Sequence, residues 1–92
     1  MNVIIREVAN SDLDRIHSWI AQDRPHAARR VIDRILNSIE LLGLFPDLGH
    51  AGKLSGTYEW VVGGLPYIIV YTVDRDADEV AIIAVFHTSQ NR

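Results

Sequence analysis

The spacing of hydrophobic residues changes from a strand period to a helix period and back again along this chain. A run rich in β-branched residues favours a first strand over Val3–Val8. From Ser11 the apolar residues recur at spacings of three and four, which is typical of an amphipathic helix ending near Asp23. Pro25 biases Arg24 away from helical geometry and suits the first turn of a second helix. The first half of the chain therefore predicts one strand followed by two helices.

The two predicted helices carry local signals at their ends. Ser11 and Asp14 have the form of a capping box, which places the N-terminus of the first helix at Ser11. In the second helix the apolar positions run to Leu42, and Gly43 is expected to end it in the left-handed conformation. Two amphipathic helices joined by a tight connection predict an antiparallel helical hairpin.

The second half of the chain returns to strand character after a long loop. Residues 43–56 form this predicted loop, whose length of about fourteen residues is often associated with function. Three apolar side chains in it are expected to plug the end of the core: Leu44, Phe45 and Leu48. The strands predicted after it form a meander: Thr57–Val62, residues 66–73 and residues 80–87. The order β-α-α-β-β-β predicts an α+β fold, with the helical hairpin packed on a small antiparallel sheet.

Size and composition narrow the class of protein. The chain has 92 residues, of which 48% are hydrophobic, and we expect residues 1–92 to form one domain. The absence of cysteine excludes disulfides and thiolate metal sites. Charged residues interrupt the apolar stretches, so no run of about 20 apolar residues occurs and we expect no signal peptide. We expect a cytoplasmic protein that needs no cofactor and does not bind membranes.

The two halves of the chain differ in charge. Residues 1–46 carry six basic and six acidic side chains, whereas residues 47–92 carry three basic and six acidic side chains. Proteins that grip a phosphate backbone usually concentrate Lys and Arg on the binding face. The predicted sheet half has the opposite balance, which disfavours nucleic acid as a partner for that face.

Two patterns that could indicate a metal site do not meet its requirements. The acidic segment Asp74–Glu79 resembles the start of a calcium-binding loop, but the sixth position of that loop must be glycine and the twelfth glutamate. Those positions hold Glu79 and Val85, so the segment favours a solvated turn between two strands. The histidines show no metal-ligand spacing. They are His17, His26, His50 and His87.

Aromatic residues offer one further indication. Tyr67 and Tyr71 are four residues apart on one predicted strand and therefore lie on the same sheet face. We expect them to pack in the core with their hydroxyl groups at its edge. Trp19 lies beside the apolar face of the first helix, and tryptophan is enriched at binding hot spots. A core role and a partner-facing role for Trp19 both remain open at this point.

Short motifs occur in a fixed order along nearly the whole chain. They are Asp12-Leu13-x-x-Ile16, Trp19-Ile20-Ala21, Pro25-x-Ala27-Ala28, Leu42-x-x-Phe45-Pro46-x-Leu48-Gly49, Gly56-Thr57-x-Glu59, Leu65-Pro66-Tyr67-Ile68-Ile69-Val70-Tyr71 and Val85-Phe86-His87. Together they resemble the RelE/ParE toxin superfamily of bacterial toxin–antitoxin modules. The resemblance implies the β-α-α-β-β-β fold with an antiparallel sheet. It also implies a cognate antitoxin that wraps around the toxin and neutralises it.

The superfamily contains two different activities. The resemblance implies either cleavage of ribosome-bound mRNA, as in RelE-type members, or poisoning of DNA gyrase, as in ParE-type members. RNA cleavage requires activation of the 2′-hydroxyl, stabilisation of a charged phosphorane and protonation of the leaving oxygen. RelE-type sheets supply clustered Lys and Arg for this chemistry, whereas Tyr67-Ile68-Ile69-Val70 contains no basic residue. The side chains left for a ribonuclease are His87, Lys53, Glu59 and Arg92.

The leading interpretation is therefore a ParE-like toxin that inhibits gyrase by binding, with no catalytic residue. Its antitoxin is expected to form a hetero-oligomer with it and to cover an apolar surface on the first helix: Leu13, Ile16, Trp19 and Ile20. One alternative is a RelE-like ribosome-dependent mRNA endoribonuclease, in which His87 is the general acid or base and Lys53 or Arg92 holds phosphate. Another is a non-toxic relic that only binds its antitoxin. Helix arginines converging with His87 in one deep pocket would contradict the leading interpretation.

Overall fold

The predicted α+β architecture, a helical hairpin packed on one sheet, is confirmed by the structure, a computed structural model that describes residues 1–90. The strands are β1 (Asn2–Ile5), β2 (His50–Ala51), β3 (Tyr58–Val61), β4 (Tyr67–Asp74) and β5 (Glu79–His87). The helices are α1 (Glu7–Ala21) and α2 (Pro25–Leu44), and a 3-10 turn, Pro46–Leu48, leads from α2 to β2. Neither helix within residues 1–90 combines the length and hydrophobicity that a membrane span requires.

The five strands form one mixed sheet in the order β1-β5-β4-β3-β2. β2, β3, β4 and β5 pair antiparallel, but β1 runs parallel to β5, with Val3 opposite Val80. The expectation of a wholly antiparallel sheet is therefore wrong at one edge. Both helices lie between β1 and the other strands in the chain, and a crossover of this kind brings β1 beside β5 in the parallel direction. The short strand β2 forms within the segment predicted to be a loop.

The first helix begins four residues earlier than the capping box predicts. α1 starts at Glu7, and the preceding Arg6 has extended backbone geometry without a side-chain cap. Val8, predicted to end the first strand, is instead a helical residue that is 62% exposed. Ala9 is fully buried in the core, so packing of the first helical turns outweighs the strand propensity of Val8.

The second helix begins as predicted but does not end at Gly43. Pro25 occupies the first turn of α2, whereas the helix continues past Gly43 to Leu44. A Cβ atom at Gly43 would lie 2.6 Å from Val3 Cγ2, so the missing side chain allows β1 to pack directly against α2. The Met1 ammonium also donates a hydrogen bond of 3.0 Å to the Gly43 carbonyl. This glycine serves close approach of two elements, not a left-handed cap.

The segment after α2 does not plug the core in the predicted way. Leu44, Phe45 and Leu48 are all exposed. Tyr71 fills this end of the core, where it is fully buried. Its hydroxyl accepts a hydrogen bond from the Gly49 N–H at 2.9 Å and donates one to the Pro46 carbonyl at 2.8 Å. The Tyr71 hydroxyl thus binds the backbone of this segment, while its three apolar side chains face solvent.

A one-residue bulge in β5 determines which side chains face the helices. Tyr71 lies opposite Ile82 and Val70 opposite Ala84, so one extra residue, Ile83, is inserted in β5. As a result Ile82 and Val85 both belong to the core between sheet and helices, although they are three residues apart. On β4, Tyr67 and Tyr71 face the same core, as predicted from their spacing.

Candidate functional site

A groove of about 460 Å³ lies between α1 and the C-terminal end of β5. Its lining consists of Arg15, Ile16, Trp19, Tyr67, Val85, His87, Ser89 and Gln90. The side chains combine apolar surface from the helix and sheet with polar groups from the turn after β5. We call these residues, with Asp12 beneath them, the groove region. A mixed concave surface of this kind is the usual setting for a binding site.

The structure separates the four residues predicted to contact an antitoxin. Ile16 and Trp19 line the groove, and Trp19 is 74% exposed. Ile20 is partly buried beside them on α1 but is not among the lining residues. Leu13 is only 7% exposed and belongs to the hydrophobic core. Helical spacing places these four on one side of α1, but it does not distinguish the buried centre of that side from its exposed margin.

His87 lines the groove beside a buried tyrosine. His87 lies directly opposite Tyr67 in the sheet, and the two rings meet edge to face with centroids 5.4 Å apart. Burial raises the pKa of the Tyr67 hydroxyl above its ordinary value. His87 Nδ1 accepts the Ser89 N–H at 3.0 Å and lies 2.8 Å from Ser89 Oγ. The turn after β5 therefore fixes the orientation of the imidazole ring.

Sequence reasoning missed the buried carboxylate that lies beneath this groove. Asp12 is 7% exposed; its Oδ2 accepts the Val85 N–H at 2.9 Å, and its Oδ1 pairs with the exposed Arg15 guanidinium. In the sequence, Asp12 stood out only as the first residue of the motif Asp12-Leu13-x-x-Ile16. The signal that could have revealed it is spacing, since Asp12 is four residues before Ile16 and therefore lies on the apolar side of the helix.

The remaining ribonuclease candidates lie in a different part of the molecule. Glu59 is 5% exposed, and its Oε2 accepts the Lys53 N–H at 3.4 Å. The loop between β2 and β3 closes over it through a hydrogen bond of 2.8 Å from the Gly52 N–H to the Thr57 carbonyl. We call residues 46–59, with Tyr71 beneath them, the loop region. Arg92, the fourth candidate, lies outside the described residues.

The two sets of candidates lie on opposite faces of the sheet. His87 is opposite Tyr67, which faces the helices, whereas Glu59 is opposite Val70. Side chains alternate between the faces along β4, so Val70 and Glu59 point away from the helices. The structure therefore does not bring Glu59 and His87 together.

Tyr71 ties the loop region to the core. Burial raises the pKa of the Tyr71 hydroxyl, the Gly49 N–H opposes this shift, and the Asp47 and Tyr58 groups add to it. A Cβ atom on Gly49 would lie 2.4 Å from the Tyr71 hydroxyl oxygen, so only glycine permits this approach. The phenol is held as a neutral group that bridges two backbone groups.

The acidic segment forms the predicted turn between the last two strands. Asp74 Oδ1 accepts the Ala77 N–H at 3.0 Å, and Asp78 has a positive φ of 55°. Short acidic side chains tolerate this left-handed geometry better than most. Within residues 1–90 no cluster of three or more histidine or carboxylate side chains has the arrangement of a metal site.

A family model and two curated proteins match this chain over most of its length. The model described as "ParE toxin of type II toxin-antitoxin system, parDE" matches residues 3–92. "Putative toxin Y4kP" of Sinorhizobium fredii is 40% identical over 78 residues, covering 85% of this chain and 78% of that protein. "Toxin RelE3" of Caulobacter vibrioides is 35% identical over 86 residues, covering 91% of this chain and 90% of that protein.

Two solved structures share the fold. A chain of the "Chromosomal ParDE TA system from P. aeruginosa" superposes with a TM-score of 0.84 at 18% identity, covering 95% of each chain. The isolated E. coli RelE toxin superposes with a TM-score of 0.71 at 14% identity, covering 99% of this chain and 87% of the other. The fold agrees with the match over residues 3–92 and with the two curated toxins: this chain belongs to the ParE toxin family of type II toxin–antitoxin systems, within the RelE/ParE superfamily.

Proposed function

We propose that this protein is a ParE-like toxin that inhibits DNA gyrase by binding it, and that a cognate antitoxin neutralises it. The observation that carries the proposal is the separation of the polar candidates. Glu59 and the Lys53 amide lie on one side of the sheet and His87 on the other. A general base, a general acid and a phosphate ligand must all reach one phosphodiester, within hydrogen-bond distance of the reacting atoms. Surface binding requires no such convergence.

The small number of positively charged side chains near His87 supports the same proposal. Among the described residues that line the groove, Arg15 is the single arginine, and its guanidinium is paired with the buried Asp12 carboxylate. Two arginines of α2 are engaged elsewhere, Arg29 with Asp33 at 3.7 Å and Arg34 with the Gly63 carbonyl. A charged phosphorane is usually stabilised by several donors aimed at it. Of the described residues that line the groove, Arg15 is therefore the single permanently charged cation, and no cluster of Lys and Arg accompanies His87 there.

The test compares two activities of one purified toxin preparation. We expect the protein to inhibit supercoiling by gyrase and to leave ribosome-bound mRNA intact. His87→Ala should retain inhibition of supercoiling if His87 is not part of the gyrase contact. Cleavage of ribosome-bound mRNA that disappears in His87→Ala, with supercoiling unaffected by either protein, would overturn the proposal.

The second candidate function is a ribosome-dependent mRNA endoribonuclease. It is favoured by the 35% identity to a protein named "Toxin RelE3" and by the groove itself, where Arg15, Tyr67 and His87 come together. In that case His87 would transfer the proton and Arg15 would contact phosphate. Arg15→Ala and His87→Ala would then each abolish cleavage. The assay above distinguishes the two functions directly.

An antitoxin is the expected protein partner under either activity. We propose that it covers the exposed side of α1, with Ile16 and Trp19 as direct contacts, Ile20 at the margin and Leu13 supporting them from the core. Inducible expression separates a toxin from a relic that only binds an antitoxin. Growth arrest without the antitoxin, and recovery when the antitoxin is supplied, supports the toxin. Normal growth without the antitoxin would favour the relic.

A further inference from the structure

Strand β5 loses its neighbour on one side halfway along its length. β1 pairs with β5 as far as Ile5, opposite Ile82, and the Arg6 N–H donates to the Ile82 carbonyl at 2.9 Å. The chain then turns into α1 at Glu7. Beyond this point β1 offers no partner to the backbone groups of β5 that face it. A buried backbone N–H left without an acceptor costs free energy, so another group must replace the strand.

The direction of the Val85 N–H identifies where the replacement is needed. The Thr88 N–H donates to the Pro66 carbonyl at 2.8 Å and so points toward β4. Successive N–H groups along a strand point to opposite sides, so the Val85 N–H, three residues earlier, points away from β4. That is the side on which β1 has ended. Asp12 Oδ2 accepts this N–H at 2.9 Å, and a carboxylate of α1 thereby takes the place of a strand.

The same contact lies directly after the bulge in β5. The extra residue, Ile83, sets the face on which Val85 and His87 lie, since Val85 follows the bulge and packs in the core. His87 then lies opposite Tyr67 and lines the groove. Bulges disturb the ladder locally and re-aim the side chains that follow them. A carboxylate oxygen therefore accepts the N–H of the first core-facing residue after the bulge.

We propose that Asp12 is a positioning residue of the groove. Its Oδ2 fixes the end of β5 against α1, which places Val85 and His87, while its Oδ1 orients the Arg15 guanidinium. Burying a carboxylate is costly unless it is fully hydrogen-bonded, and hydrogen bonds to a charged acceptor are among the stronger ones. That the groove receives a protein partner depends on the proposed function. The positioning by Asp12 does not depend on it.

Amide hydrogen exchange and NMR of the full chain test the positioning directly. In Asp12→Ala we expect the Val85 amide to exchange about ten- to a hundredfold faster relative to the amides of β4 in the same sample. We also expect the contact between the Tyr67 and His87 rings to weaken. General destabilisation would accelerate all these amides together. Equal acceleration at Val85 and in β4, or an unchanged ring contact, would overturn the proposal.

Two further variants separate the acceptor from the ion pair. Asp12→Asn keeps a side-chain oxygen and should protect the Val85 amide more than Asp12→Ala does. Arg15→Ala removes the ion pair but leaves the acceptor, so Val85 protection should remain. Should Asp12→Ala fail to fold, these two variants still decide the matter. Loss of Val85 protection in Arg15→Ala would contradict the proposal. So would exchange of the Val85 amide in Asp12→Asn at the rate of an unstructured peptide.

The consequence for binding is measured with the cognate antitoxin. We expect Asp12→Ala to lower affinity about tenfold, although Asp12 itself is buried, whereas Asp14→Ala on the same helix should bind normally. No binding by the unchanged protein would refute the proposed antitoxin partner and leave the exchange result standing. Normal binding by Asp12→Ala, with altered exchange at Val85, would refute the claim that the positioned groove serves the antitoxin.

Discussion

The groove region and the loop region each contain a buried carboxylate, but they use it in different ways. In the groove region Asp12 holds the Val85 backbone, and exposed side chains of mixed chemistry, Trp19 among them, lie above it. In the loop region Glu59 accepts the Lys53 N–H beneath a closed turn. Both carboxylates are engaged by backbone amides. Burial of an acid therefore does not by itself mark a catalytic group in this fold, and the exposed surface above it is the better guide to function.

Loss of the Asp12 carboxylate is expected to have the largest effect on stability in either region. Asp12→Ala should lower the free energy of unfolding by about 2–3 kcal/mol, because the Val85 N–H loses a charged acceptor in a buried position. Chemical denaturation measures this difference. The matched control is Asp14→Ala, an exposed acid on the same helix, which should change stability by less than about 0.5 kcal/mol. Equal effects of the two substitutions would remove the distinction between them.

The exposed side of the groove region should matter for binding and not for stability. Trp19→Ala should weaken antitoxin binding by roughly thirtyfold, about 2 kcal/mol, if Trp19 is a binding hot spot. The unfolding free energy should change by less than about 0.5 kcal/mol, since the side chain is 74% exposed. Val8→Ala is the matched control, because Val8 is 62% exposed on the same helix and does not line the groove. Titration calorimetry that gives the same affinity for both variants would contradict this role.

In the loop region, loss of the Glu59 carboxylate is expected to have a smaller effect on stability. Variants of Glu59 test whether its role is structural. Glu59→Ala should cost about 1 kcal/mol of stability, because the hydrogen bond lost from the Lys53 N–H is a long one of 3.4 Å. Glu59→Gln keeps an oxygen acceptor and should cost less than half of that. Toxicity on inducible expression should persist in Glu59→Gln. Loss of toxicity with unchanged stability would indicate a direct chemical role for the carboxylate.

Ionisation of the buried tyrosine hydroxyl groups has the smallest effect on stability at neutral pH. Burial raises the pKa of Tyr67 and of Tyr71 above the ordinary value of 10.0. The folded state therefore favours the protonated phenol, so this stability is fully present below about pH 10 and is lost as the pH rises through the raised pKa values. Unfolding measured between pH 8 and 11 should show this decline. Tyr71→Phe should flatten it, and an unchanged slope would contradict the assignment to Tyr71.

Much of the fold could be predicted from the sequence because its signals are local and periodic. The helical hairpin follows from apolar spacing and from Pro25, and the long strands follow from their β-branched runs. The two-residue strand β2 could not be predicted. It pairs with β3, and the segment before it is held by hydrogen bonds between the Tyr71 hydroxyl and the backbone of Pro46 and Gly49. Gly43 was misassigned because its role lies in contact with β1, far away in the chain.

The candidate site was less accessible to sequence reasoning. The positions of His87 and Trp19 followed from strand and helix patterns, but their meeting in one groove depends on tertiary packing. The bulge at Ile83 changes the side-chain alternation of β5, and nothing in the local sequence specifies it. The contact from Asp12 to Val85 joins residues 73 positions apart. Such contacts become visible only when the paired register of β5 is known.

The place of β5 between β1 and β4 has a consequence for how the protein is made. The ribosome synthesises β5 after the other four strands, yet β5 alone joins β1 to the rest of the sheet. Contacts between distant parts of a chain must wait until both partners are available. β2, β3 and β4 can pair with one another before β5 is made, but β1 can join them only through β5. The complete sheet, and with it the groove between α1 and β5, therefore forms only after β5 has been synthesised.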